Sequence, residues 1–330
     1  MSKYIAVLFL LCFISCNIKE ANKQKVKTKS EKIVIAHRGA SGYLPEHTLP
    51  AKAMAYAMGA DYLEQDVVLS KDNVPIVIHD IHLETVTDVA QKFPERKRID
   101  GKFYVIDFTF EELKQLNVSE RFDSTTHETV FPNRFPLFKS NFKLHSLQDE
   151  IELIQGLNKS TGENIGIYPE IKEPAFHLKE GKDISKLVLT ILAEYGYKTK
   201  EDNCILQCFD AKELKRIRTE LKSKLFLVQL IEFKEDEKKL EEFATYADGI
   251  GPWIQQIIKG KDENGKWIIS DLVTNAHKNN LKVHAYTFRA DQLGGFKTFA
   301  ELLNVALYKA NIDGVFTDFP DKAVNFISKN

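Results

Sequence analysis

IVIAHRGASGYLPEHTLPAKAMAYAMGADYLEQDVVLSKDNVPIVIHD, residues 33–80, opens the folded part of the chain and sets its pattern. Short apolar runs deliver polar residues at their ends: His37 and Arg38 close the first, Glu64 and Asp66 the second, His79 and Asp80 the third. Alternate residues of a strand share a face, so Glu64 and Asp66 set two carboxylates side by side with Gln65 turned away. Between the first two runs, Thr48, Leu49 and Pro50 start a helix that ends at Gly59, a good stop. Two histidines, an arginine and two carboxylates at strand ends mark a site.

Further β-branched, apolar runs recur downstream, at 165–171, 204–209, 225–230, 249–252, 282–287 and 314–317. Helical patterns at 147–157, 184–195, 211–221, 238–246, 270–279 and 299–309 separate most of them. Strand alternating with helix predicts a parallel sheet wound by crossovers. With the runs of the opening stretch, the candidate strands number one more than a (β/α)₈ barrel uses. No helix fits between Val68 and Pro75, so the expected barrel is irregular there. Residues 81–145 break the alternation; rich in Phe, Pro and charge, with one short helix at 110–116, they are too long for an unstructured loop. They are expected to form a small inserted subdomain that emerges after His79 and Asp80 and walls the strand ends.

IGIYPEIKEP, residues 165–174, adds Glu170 and Lys172 on one face of a strand end. Closure of the sheet brings three carboxylates together, Glu64, Asp66 and Glu170. Oxygen-only ligands select a hard cation, Ca²⁺ or Mg²⁺, over zinc. A cation with Arg38 and Lys172 neutralises a phosphate, Arg38 through bidentate geometry and Lys172 as a point charge. His37 and His79 are left to take a proton from a nucleophile and give one to a leaving oxygen. The residues point to metal-assisted phosphodiester cleavage.

The amino terminus is of another kind. A short basic start precedes ten apolar residues, Ile5 to Ile14, too few to span a bilayer but suited to a secretory signal. Phe13-Ile14-Ser15-Cys16 resembles a bacterial lipobox, in which Cys16 becomes the lipidated first residue; ordinary cleavage nearby is the alternative. Residues 17–32 are lysine-rich with hardly an apolar side chain, a tether reaching roughly 50 Å when extended. The expected organisation is signal 1–16, tether 17–32 and catalytic domain 33–330, in a cell-envelope protein. With 46 Lys and Arg against 47 Asp and Glu, no global field favours nucleic acid. Cys204 and Cys208, four apart on one strand, would lie about 13 Å from each other and cannot form a disulfide.

HRGASGYLPEHT, LEQDV, VIHD, YPEIK, QCFD and FTDFPDKA, in that order, resemble the glycerophosphodiester phosphodiesterases, and in particular their secreted bacterial type. The resemblance implies an irregular TIM (β/α)₈ barrel with a small inserted cap, hydrolysing glycerophosphocholine, glycerophosphoethanolamine and similar diesters to sn-glycerol 3-phosphate and an alcohol. It gives His37 and His79 the acid and base roles and Arg38 the phosphate contact. Glu64, Asp66 and Glu170 become ligands, usually of Ca²⁺, while Lys172 lies by the phosphate and Gln207 and Phe209 line the pocket. Which histidine is acid, and whether the glycerol 2-hydroxyl or water attacks, stay open.

The chain departs from the family pattern in places. His47 stands where many members have Asn, and is expected to be structural. The pattern HDxxLxRTT appears as HDIHLETVT, with Thr85 in place of the arginine, and Tyr286 replaces a frequent Trp. The remaining histidines are expected to be structural or exposed, with His284 in the core, and Gly39 and Gly42 to let the backbone approach a phosphate. Two other readings are a surface lipoprotein with a binding role and a phosphodiesterase acting on lysophospholipid.

Overall fold

Inward columns of alternating strand residues change from apolar to polar along the chain direction. Ile33 and Ile35 lead to His37, Tyr62 to Glu64 and Asp66, Tyr168 to Glu170 and Lys172, Ile205 to Gln207 and Phe209, and Phe316 to Asp318. A computed structural model of the chain describes residues 32–330; the predicted signal, Cys16 and all but the last residue of the predicted tether lie outside the described residues. Eleven strands are described: β1 (Ile33–Ala36), β2 (Tyr62–Leu69), β3 (Pro75–Val77), β4 (Gly166–Ile171), β5 (Ile205–Cys208), β6 (Phe226–Ile231), β7 (Gly249–Pro252), β8 (Ile258–Lys261), β9 (Trp267–Ile269), β10 (Lys282–Phe288) and β11 (Gly314–Thr317). β1, β2, β4, β5, β6, β7, β10 and β11 pair in parallel, and β1 pairs with both β2 and β11, so these eight close into a barrel.

Two apolar layers hold the barrel. Inside, Ile35, Tyr168, Ile205, Val228 and Phe316 fill the lower part as a floor. Outside, residues such as Val34, Leu63, Val67, Ile167, Leu206 and Leu227 pack under the helices, including Leu147–Thr161, Ile184–Glu194 and Ala211–Thr219. Cys204 and Cys208 are buried free thiols on this outer side. Burying both faces of each strand is what makes a parallel sheet stable.

The surplus strand has a specific place. β3 lies antiparallel on the upper part of β2, Val67 opposite Val77 and Leu69 opposite Pro75, where β1 no longer reaches. The chain therefore doubles back after Leu69, and the Ile78 N–H donates to the Asp66 carbonyl at 2.9 Å. His79 returns to the level of the carboxylates instead of standing one strand further round the barrel.

Residues 81–145 are less helical than a helical cap. They contain two single-turn helices, Val89–Lys92 and Phe110–Leu113, two 3₁₀ turns and isolated bridges such as Thr87 to Val118 and Val118 to Phe142. Leu83, Val86, Val89, Phe103, Phe108, Leu113 and Leu116 form an apolar core of their own, joined to the barrel through Val68, Ile76 and Ile78. A β8–β9 hairpin and a terminal helix, Pro320–Ile327, were not among the expected elements, although Asn264-Gly265 between the two strands and Pro320 at the start of the helix signal them.

Candidate active site

Because β2, β4 and β5 run in register, Asp66, Glu170 and Gln207 are lateral neighbours across three strands. Glu64 stands two residues before Asp66 on the same inward face. One oxygen from each of Glu64, Asp66 and Glu170 lies within 4.8 Å of the others, and all three residues are buried. The cavity above them has a volume of about 290 Å³, and His37, Arg38, His79, Lys172, Gln207 and Phe209 line it too. All nine residues that the sequence proposes for the site thus meet at the C-terminal end of the barrel, where this fold places its chemistry.

The carboxylates are not equivalent. Burial and the charges of Asp66 and Glu170 push the Glu64 carboxyl well above its ordinary range, and burial pushes Glu170 up to about 8. At Asp66 burial acts in the same direction but is outweighed by Lys172, His79 and His47, so its carboxyl stays well below the usual range. Asp66 Oδ2 is held by His47 Nε2 at 2.7 Å, while its buried Oδ1 has no hydrogen-bond partner. Gln207 Nε2 donates to Glu64 Oε1 at 3.1 Å. Oxygen donors crowded until two of them favour the neutral acid, with one lone carboxylate oxygen aimed inward, fit a hard divalent cation.

Each histidine on the rim has its own carboxylate. His37 Nδ1 is 2.6 Å from Asp318 Oδ1, and His79 Nδ1 is 2.6 Å from Asp80 Oδ1. Both aspartates are held below the ordinary carboxylate range, despite burial, by their histidines and by arginines. Each is therefore a charged acceptor, Nδ1 carries the proton, and Nε2 faces the site with a lone pair. Burial lowers His37, and burial with Arg38 and Lys172 lowers His79 to about 3, so both rings are neutral near pH 7.

Two cations complete the rim. Lys172 Nζ lies 2.7 Å from Glu170 Oε1 and 3.4 Å from His79 Nε2. Arg38 donates through Nη1 to both oxygens of Glu46, at 3.0 and 3.1 Å, and its backbone N–H donates to Glu64 Oε2 at 2.8 Å. Its buried Nε has no hydrogen-bond partner. It lies 3.6 Å from Asp66 Oδ2, an ion pair that ties the guanidinium to the carboxylate cluster.

Several residues of the site were not singled out from the sequence. Asp318 closes β11 as His37 closes β1, and its position after the last strand was the available signal. His47 is buried and holds Asp66 Oδ2, as a structural residue would. Arg134 and Arg289 hold Asp318 Oδ2 at 2.6 and 2.8 Å. Gly39 turns with φ +88°, the left-handed conformation that favours glycine; a side chain there would meet the Ala51 backbone at 2.9 Å, and one at Gly42 the Phe319 ring at 2.5 Å. Both serve close packing. His284 is buried against the Tyr168 hydroxyl, 2.9 Å away, as a core histidine.

A parallel barrel with buried carboxylates, two carboxylate-held histidines and two cations at its mouth defines a hydrolase site for a phosphate ester. Residues 37–322 match the Glycerophosphoryl diester phosphodiesterase family, and the chain belongs to that family. It is an enzyme of the phosphodiester hydrolase class, a glycerophosphodiester phosphodiesterase. The glycerophosphodiester phosphodiesterase of Haemophilus influenzae is 46% identical over 94% of both chains, and that of Treponema pallidum 41% identical over 91% of this chain and 93% of its own. Among solved structures, the fold is shared with a glycerophosphoryl diester phosphodiesterase from Silicibacter pomeroyi, with a TM-score of 0.68 and 22% identity over 90% of this chain and 93% of that one. It is also shared with an Oleispira antarctica phosphodiesterase in complex with the product sn-glycerol-3-phosphate, with a TM-score of 0.62 and 22% identity over 90% and 96% of the two chains.

Proposed function

We propose that the chain hydrolyses glycerophosphodiesters such as glycerophosphocholine and glycerophosphoethanolamine to sn-glycerol 3-phosphate and an alcohol. Glu64, Asp66 and Glu170 hold a divalent cation, Ca²⁺ or Mg²⁺, and His37 and His79 serve as the acid–base pair. The observation that carries the reading is the meeting of two Nδ1-anchored histidines over the three-carboxylate cluster in one cavity. The cation, when bound, supplies positive charge to the phosphate oxygens. The Arg38 guanidinium and Lys172 Nζ bind the same phosphate and hold it between the two rings. One histidine takes the proton of the attacking hydroxyl or water at Nε2, and the other, neutral in the free protein, takes up a proton from solvent at Nε2 once the phosphate anion is bound and gives it to the leaving oxygen.

The outer wall supports a cationic alcohol. Phe209, Trp253, Tyr286 and Glu232 line the cavity on the side of β5 to β10, and the Phe209 and Tyr286 rings meet edge to face at 5.9 Å. Aromatic faces beside a carboxylate suit a quaternary ammonium. An adjoining cavity of about 400 Å³, reached past Trp253, Thr287 and Arg289 and lined by Ile254, Ile258, Leu293 and Phe296, supports a second reading with a lysophospholipid substrate. The enzyme is exported and envelope-tethered through lipid on Cys16, by the reading of residues 1–32. The combination of enzyme site and family membership leaves a purely binding role without support.

The test is release of sn-glycerol 3-phosphate by protein lacking residues 1–16, with Ca²⁺, with Mg²⁺, with chelator, and by His79→Ala. Loss of turnover on chelation and in the variant is expected. Turnover indifferent to chelation overturns the cation assignment, and an active His79→Ala overturns the acid–base pair. Lysophosphatidylcholine as substrate separates the two readings.

A further inference from the structure

Arg121 belongs to the insertion; it does not line the cavity that holds the carboxylate cluster but an adjoining one of about 210 Å³, with His37, Arg38 and His79. Its guanidinium bridges two carboxylates that grip the site from behind. Nη1 donates to Asp80 Oδ2 at 2.7 Å, while Nη2 and Nε donate to Glu46 Oε1 and Oε2 at 2.6 and 3.1 Å. Asp80 turns its other oxygen to His79 Nδ1, and Glu46 holds Arg38. One side chain from the insertion thus sits one bond behind His79 and one bond behind Arg38.

Position 85 points at the same place. Thr85 Oγ1 lies 3.3 Å from Arg121 Nη1 and 3.4 Å from Asp80 Oδ2. The two segments are also bound along their backbones: the Phe122 N–H donates to the Thr85 carbonyl at 3.0 Å, the Ser119 N–H to the Val86 carbonyl at 2.8 Å, and Thr87 bridges Val118. The guanidinium at this spot is supplied from residue 121.

We propose that Arg121, reaching in from the insertion, is the positioning residue for His79, which it holds through Asp80. Asp80 is partly open to solvent, with its side chain 29% exposed. Without a charged fork on Oδ2, that carboxylate is free to turn to water and release the His79 ring. A ring misplaced by about 1 Å costs on the order of 10²-fold in rate. Arg38 keeps its contacts with Glu46 in that case, so phosphate binding changes little. The insertion is therefore part of the catalytic apparatus, beyond forming a wall.

The proposal rests on the acid–base role of His79, and the experiment separates the two. Steady-state kinetics on glycerophosphocholine are measured for Arg121→Gly, for Thr85→Arg/Arg121→Gly and for His79→Ala, with thermal melting of each. Arg121→Gly is expected to lose about 10²-fold in kcat with KM changed less than about threefold, and the double variant to recover most of it. An active Arg121→Gly beside an inactive His79→Ala overturns the positioning role alone. An active His79→Ala overturns the acid–base reading beneath it. If Arg121→Gly does not fold, the double variant decides: folded and active supports the positioning role, and inactive or unfolded overturns it.

Discussion

Glu150→Gln is the substitution whose consequence is most fully specified, because Glu150 is the acid of a charge cluster buried behind β2. Lys52, on the helix Leu49–Ala57, and Glu150 are both fully buried and 2.8 Å apart. His145 Nε2 lies 2.8 Å from the other Glu150 oxygen, and Gln65 donates to the first at 2.7 Å. Lys52 Nζ also donates to the Glu64 carbonyl. The cluster therefore anchors the strand that carries two of the carboxylates. Burial alone would raise the Glu150 carboxyl, but Lys52 and then His145 outweigh it and take it from 4.5 down to about 2. That difference corresponds to about 3 kcal/mol of pairing, and breaking a buried pair by removing one partner costs a similar 3–5 kcal/mol or so. Because the folded value is depressed, this stability is present in full above about pH 4.5 and is lost as the pH falls towards about 2. Urea unfolding of residues 32–330 should give a Glu150→Gln variant about 3 kcal/mol less stable at pH 7, with a melting temperature roughly 6 °C lower. Lys52→Met/Glu150→Gln should recover part of the loss, since no lone charge then stays buried. A loss under about 1 kcal/mol at pH 7, or a gap that does not narrow between pH 5 and about pH 3, would refute the reasoning.

Two further substitutions examine the site from its supports. Asp318→Asn keeps the shape but removes the charged acceptor at His37 Nδ1, 2.6 Å away; kcat should fall about 10²-fold or more, the melting temperature should fall as well because Arg134 and Arg289 lose their carboxylate, and an unchanged kcat would deny Asp318 its orienting part. His47→Ala frees Asp66 Oδ2 from its 2.7 Å partner; divalent-cation affinity, read by calorimetry on the substrate-free protein, should weaken about 10–100-fold, and unchanged affinity would make His47 a packing residue.

The chain's own order of residues determined much of this protein. Period-two alternation set Glu64 with Asp66 and Glu170 with Lys172, and the apolar runs that end in His37 and Arg38 marked the mouth of a barrel before any pairing was known. Those inferences hold because a strand aims its side chains by local geometry alone. The tertiary structure decided the partners. Asp318 reaches His37 across 281 positions, Glu150 reaches Gln65 across 85, and Arg121 reaches Glu46 across 75. It also decided that β3 turns back on β2, which returns His79 to the level of Asp66. Nothing in the spacing of residues encodes such meetings. They follow from barrel closure and from the docking of the insertion, where burial forces each charged group to find a partner that only the complete fold supplies.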